Sequence, residues 1–163
     1  MDIEIFALAE QLGAVLESKG VMIAVAESCT GGGICQVITE VPGSSAWFDR
    51  GFVTYSNDAK KDLLGVKQAS LEQFGAVSQQ VATEMAAGAL QHSLADITVA
   101  VTGLAGPGGA TLDKPVGTVF IAWKHKSREG RCERFLFSGS RAEIRQQTIK
   151  MALKGCLELG KNS

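Results

Sequence analysis

The sequence predicts an α/β fold: a single three-layer αβα domain over residues 1–163, built on a mixed, mainly parallel five-stranded sheet. Three features carry that expectation. Between residues 21 and 101, short apolar runs alternate with helical patterns, as in parallel strands joined by crossover helices. Two β-rich runs near the end flank a turn containing Gly130, as in an antiparallel hairpin that makes the sheet mixed. Amphipathic helical patterns open and close the chain and supply outer layers.

At the start of the chain, Ile5, Leu8, Leu12, Val15 and Leu16 recur at helical spacing, and Gly20 acts as a stop. Residues 21–26 read as a short buried strand running into Glu27-Ser-Cys-Thr-Gly-Gly-Gly33. A second helix spans about 32–40 and ends before Pro42-Gly43. Strand two covers roughly 51–55, and Ser56-Asn57-Asp58 starts a short helix that ends at Gly65. Ser78 caps a longer helix reaching about Leu94. Residues 97–101 form strand three and open into Thr102-Gly-Leu-Ala-Gly-Pro-Gly-Gly109. Strands four and five cover 117–125 and 132–137. The final helix begins at Ser140-Arg-Ala-Glu143, a capping-box pattern.

Composition narrows the function classes. With 45% hydrophobic residues in 163, the chain is too apolar for disorder and long enough for a sizeable core. Sixteen Lys+Arg against seventeen Asp+Glu leave a formal net charge of −1, without the basic footprint of a nucleic-acid binder. No apolar run approaches a bilayer's thickness, and the opening Met-Asp-Ile-Glu is acidic where a signal peptide is basic. The expectation is a cytoplasmic protein without membrane association. The cysteines at 29, 35, 132 and 156 form no C-x-x-C pair, and His92 and His125 lie far apart in the chain. Reduced cysteines, no metal and no cofactor are therefore expected.

In a sheet of this kind ligands bind beyond the carboxyl ends of the parallel strands. Those ends are Glu27-Ser28, Tyr55-Ser56 and Thr102-Gly103, the three least ordinary stretches of the chain. Ser28 stands at a strand-to-helix turn, where it reads either as a nucleophile beside unpaired N–H groups or, with Thr30, as an ordinary helix cap. Neither histidine reaches that edge, so a histidine triad is not expected. A lysine with a lowered pKa serves instead, and Lys60 and Lys61 both occupy the first turn after Ser56. Tyr55, the only tyrosine, either relays a proton, stacks on a ring or simply ends an amphipathic strand. The Thr102–Gly109 loop matches no nucleotide-binding signature but allows close main-chain approach to a phosphate or ring. Arg141 comes directly after the cap Ser140, at the helix end where a cation costs least if an anion binds beside it. Arg145, one turn on, reads as a surface arginine.

Five ordered motifs carry a resemblance over about residues 5–160. They are Ala26-Glu-Ser-Cys-Thr-Gly-Gly32, Tyr55-Ser-Asn-Asp-Ala-Lys60 with Leu63-Leu-Gly-Val66, Gly75-Ala-Val-Ser78, Val101-Thr-Gly-Leu-Ala-Gly-Pro-Gly-Gly109 and Lys114-Pro-Val-Gly-Thr118. Together they resemble the CinA C-terminal domain, the competence-damage-inducible family that includes the stand-alone nicotinamide-nucleotide amidase. The resemblance implies hydrolysis of the carboxamide of nicotinamide mononucleotide to nicotinate mononucleotide and ammonia. It assigns Ser28 as nucleophile, Lys60 rather than Lys61 as its partner, and Tyr55 as an aid to proton transfer. It also assigns N–H groups near Thr30 and Gly31 to the oxyanion, and Thr102, Gly103 and Gly106 to the nucleotide pocket. Arg141 would meet the phosphate or the carboxamide, and the turn at Gly43 would add backbone donors. It implies the same αβα fold and a homodimer, and it calls for no cofactor. Many members carry an acidic residue at position 140, where this chain has the cap Ser140. The competing reading is a non-catalytic nucleotide-binding or regulatory module, which binds without releasing ammonia. A direct role on DNA, suggested only by the competence label, conflicts with the near-neutral charge.

Overall fold

The first helix, α1 (Ile3–Lys19), begins where the Asp2 carboxylate accepts the N–H groups of Glu4 and Ile5. It ends as Gly20 enters the left-handed region. The structure, a computed structural model, describes residues 2–163. After α1 come β1 (Ile23–Glu27), α2 (Gly33–Glu40), a 3₁₀ turn at Ser44–Ala46, β2 (Phe48–Val53), α3 (Asn57–Leu64) and α4 (Gln68–Phe74). The rest of the chain forms α5 (Gln79–Gln91), β3 (Ile97–Gly103), β4 (Thr118–His125), β5 (Arg128–Leu136) and α6 (Arg141–Lys161).

The five strands form one sheet in the order β2-β1-β3-β4-β5. β1 pairs in parallel with both β2 and β3, whereas β3–β4 and β4–β5 are antiparallel. Four strands therefore run one way and β4 alone opposes them, the mixed and mainly parallel sheet the sequence predicts. The pleat separates two unlike faces. On one, Ile23, Val25, Ile97, Val99, Val101, Ile121 and Trp123 pack beneath α1, α2 and α6. On the other, Ala26, Ala100 and Ala122 leave a shallow surface on which α5 lies, with α3 and α4 outside it. Among the described residues no helix is long and apolar enough to cross a membrane.

Several boundaries differ from expectation. β2 begins at Phe48 and ends at Val53, and the Thr54 N–H makes the last bond to β1, on the Glu27 carbonyl at 2.8 Å. The hairpin turn is Lys126-Ser127, where the His125 ring accepts the Ser127 N–H at 3.0 Å; Gly130 lies inside β5. α5 stops at Gln91, its end closed by His92 on the Gly88 carbonyl. The seven-residue α4 is not predicted by the sequence pattern. Its start has no local cap and is held by Glu84 of α5, which accepts from the Lys67 N–H at 2.8 Å and the Ser70 hydroxyl at 2.5 Å. The capping box at Ser140 and Glu143 is present, as its sequence pattern predicts.

Candidate active site

Ser28 stands directly after β1, and the chain does not enter α2 until Gly33, so five residues make the turn above the sheet. Lys60 lies on the first turn of α3, which starts at the cap Ser56 whose hydroxyl accepts the Ala59 N–H. Its side chain runs back beneath the segment 54–55 and is 1% exposed. Nζ lies 3.0 Å from the Ser28 hydroxyl, 2.9 Å from the Thr54 carbonyl and 3.2 Å from the Tyr55 carbonyl. The two carbonyls only accept, while a hydroxyl gives or takes. A neutral amine has two N–H groups for the carbonyls and one lone pair left, which faces the Ser28 O–H. Burial lowers the Lys60 pKa below that of an ordinary lysine. Lys61 points away, onto Gln68 at 2.7 Å and Asp58 at 3.4 Å.

The cavity above this pair measures about 270 Å³ and is walled by all three parallel strand ends. Ser28, Lys60 and Thr102 form its buried end, and Tyr55, Asn57, Gly108 and Arg141 its exposed rim. The Thr102 hydroxyl is spent on the Ala76 carbonyl at 2.9 Å, so it shapes the wall. Gly103 and Gly106 line the same space. A side chain at Gly103 would run into Val119, so β3 and β4 approach closely there only without one. Arg141 donates to the Gly106 carbonyl at 2.7 Å and to the Tyr55 hydroxyl at 3.3 Å, joining α6 to both rims. Tyr55 is 63% exposed, and its hydroxyl lies on Arg141 while Lys60 contacts Ser28 directly. No tyrosine relay stands between the two.

Of three further expected site residues, Thr30 offers only its main chain, and Gly31 and Gly43 offer nothing to the cavity. Thr30 is fully buried, and its hydroxyl donates to Glu27 at 2.5 Å. The Gly31 N–H is taken by the Ser28 carbonyl at 3.0 Å. Gly43 precedes the 3₁₀ turn that leads into the amino end of β2, on the opposite edge of the sheet from Ser28. Nor does α2 offer free N-terminal donors: Glu27 accepts the Ile34 and Cys35 N–H groups, both at 2.9 Å. The N–H groups of Cys29 and Thr30 do remain without an acceptor among the described residues. Cys29 is no rival nucleophile, because burial raises its thiol pKa to about 11.

Two residues emerge only from the structure. Half-buried Arg145 reaches from α6 to the Cys29 carbonyl at 3.2 Å and the Thr30 carbonyl at 3.1 Å. Glu27, buried at the end of β1, holds the other side of the same turn. The spacing of Arg141 and Arg145 puts both on one helix face, which was the available signal for Arg145.

A buried serine in contact with a buried lysine, at the carboxyl edge of a parallel α/β core, is the arrangement that serine–lysine hydrolysis needs. Comparison with known proteins is more specific: the chain belongs to the CinA C-terminal domain family, whose model matches residues 5–159. It is 49% identical over 153 residues to the nicotinamide-nucleotide amidohydrolase PncC of Escherichia coli (strain K12), covering 94% of this chain and 93% of that one. To the PncC of Pseudomonas putida it is 51% identical over 156 residues, covering 96% and 97%. The crystal structure of the competence/damage inducible protein CihA from Agrobacterium tumefaciens superposes with a TM-score of 0.95 at 46% identity, over 98% of this chain and 99% of that one.

Proposed function

We propose that this protein hydrolyses the carboxamide of nicotinamide mononucleotide, giving nicotinate mononucleotide and ammonia. The observation that carries the reading is the 3.0 Å contact between Lys60 Nζ and Ser28 Oγ at the buried end of the cavity. The names of relatives at about half identity supply the substrate.

Lys60, as the neutral amine, takes the Ser28 proton while Oγ attacks the carboxamide carbon. The carbonyl oxygen becomes an oxyanion, which the N–H groups of Cys29 and Thr30, in the turn after the nucleophile and without acceptors among the described residues, stabilise. Collapse of the tetrahedral intermediate breaks the C–N bond, and the Lys60 ammonium returns its proton to the departing nitrogen, which leaves as ammonia. Lys60 is then neutral again, takes a proton from the water that attacks the ester, and passes it to Ser28 Oγ as the acyl C–O bond breaks and nicotinate mononucleotide leaves. The ribose phosphate extends toward the rim, where Arg141 offers a guanidinium suited to phosphate. Tyr55, held by Arg141, forms a wall for the pyridine ring.

The test is release of ammonia and nicotinate mononucleotide by the purified protein, run beside Ser28→Ala. Release by the native protein is expected, with loss of at least about 10³-fold in the variant. Binding of the mononucleotide with no ammonia from either protein would instead identify a binding module.

A further inference from the structure

Glu27 is the residue immediately before the nucleophile, and its side chain is fully buried. One carboxylate oxygen accepts from the Thr30 hydroxyl at 2.5 Å and the Ile34 N–H at 2.9 Å, and the other accepts the Cys35 N–H at 2.9 Å. Its carbonyl accepts the Thr54 N–H at 2.8 Å, and the Thr54 carbonyl in turn accepts from Lys60 at 2.9 Å. One residue thus ties the nucleophile's turn to the start of α2 and to the segment that positions the base.

The pattern of main-chain bonds shows what this does to the turn. The first helical N–H groups of α2 are all occupied, Gly33 by the Thr30 carbonyl and Ile34 and Cys35 by Glu27. The Ser28 carbonyl is held by Gly31, and the Cys29 and Thr30 carbonyls by Arg145. In a trans peptide the N–H points opposite to the carbonyl of the same unit. Holding the Ser28 and Cys29 carbonyls therefore fixes the directions of the Cys29 and Thr30 N–H groups, neither of which has an acceptor among the described residues. Glu27 and Arg145 grip the turn from two sides, one through the Thr30 side chain and the other through carbonyls.

We propose that Glu27 is a positioning residue for the reaction: through Thr30 and the start of α2 it holds the Ser28–Gly33 turn so that the Cys29 and Thr30 N–H groups meet the developing oxyanion. The inference rests on the proposed amidase activity. Glu27 lies behind the turn and is absent from the cavity lining, so its effect falls on the rate of the bound complex rather than on substrate affinity.

Three variants and two readouts test it. Glu27→Gln puts an amide NH₂ where the carboxylate received an N–H; a misplacement of about 1 Å lowers kcat on the order of 100-fold, with KM within about twofold. Thr30→Val, nearly isosteric, removes only the hydroxyl bond and lowers kcat about tenfold, and Thr30→Ser recovers most of what Thr30→Val loses. The second readout is amide hydrogen exchange, in which the Ile34 and Cys35 N–H groups exchange at least about tenfold faster in Glu27→Gln than in the native protein. A Glu27→Gln enzyme with native kcat, a loss confined to KM, or Thr30→Ser no better than Thr30→Val overturns the proposal. So does unchanged exchange at Ile34 and Cys35. Absence of ammonia from the unaltered protein would sink the amidase reading, and the exchange rates would still decide whether Glu27 holds the turn.

Discussion

Lys60 and Lys61 are neighbours of the same residue type whose surroundings give them different chemistry. The first is sealed under the 54–55 segment with only neutral acceptors around its amine, and the second lies half-buried on the outside of α3 beside Asp58 and Gln68. Lys60→Ala is therefore expected to lower kcat by about 10³-fold or more, while Lys61→Ala stays within about twofold. The same burial sets the pH profile. Only the neutral amine accepts the Ser28 proton, so kcat/KM rises with pH through the Lys60 ionisation, at a pKa below the ordinary lysine value of 10.5. Equal losses in the two alanine variants would remove Lys60 as the base. At this scale the sequence exposed the serine, the two lysines, Tyr55, Thr102 and Arg141, because each sits at a strand end or helix start with a recognisable local pattern. It could not separate the lysines by spacing alone, since the choice depends on which face of a two-turn helix meets the sheet. The Gly31 N–H is unavailable because its partner, the Ser28 carbonyl, is set by how the turn folds, and the Thr30 hydroxyl is taken by Glu27 while its N–H stays free.

Helices with local caps were legible; of the two capped from a distance, α2 was legible from its apolar pattern and α4 was not. Ser56, Ser78 and Ser140 each accept an N–H from their own first turn, and the sequence placed all three helix starts. The starts of α2 and α4 have no side-chain cap of their own; Glu27 of β1 and Glu84 of α5 supply the carboxylates. Element packing also reaches the site. Where α3 ends, the Leu64 carbonyl presses on α5 at Gly88, and a Cβ built there would stand 1.9 Å from that oxygen. Backbone must move to admit a methyl group, and the element that moves carries Lys60 one turn away. Gly88→Ala is expected to cost about 1–3 kcal/mol of stability and to lower kcat about tenfold by drawing Nζ away from Ser28. Thermal unfolding and steady-state kinetics measure the two together. Native kcat in a destabilised Gly88→Ala protein would show that α3 holds its place independently of α5.

Across the whole molecule, the site exists because three parallel strands end on one edge and α6 brings Arg141 and Arg145 back over it. That arrangement was legible in the strand–helix alternation, whereas the end of β2 depended on its register with β1, and the hairpin turned at Lys126-Ser127 on a local His125–Ser127 bond rather than at Gly130. The arrangement also has a thermodynamic signature. An unfolded chain ionises Lys60 at the ordinary 10.5, and the folded protein ionises it lower because burial disfavours the ammonium. Above 10.5 the amine is neutral in both states and its ionisation costs folding nothing. As pH falls from 10.5 toward the lowered folded value, the unfolded chain binds the proton first, and native stability declines relative to a protein without this amine. Below the folded value the penalty is constant. Lys60→Met provides the reference, cancelling every other titrating group. Between the folded pKa and 10.5, native stability relative to this variant should rise with pH by about 1.4 kcal/mol per unit. In a chain of 163 residues that is about 3–5 °C in Tm per pH unit. A pH-independent difference between the two proteins would mean that folding leaves the Lys60 ionisation where it was, and the buried amine would lose its standing as the base for Ser28.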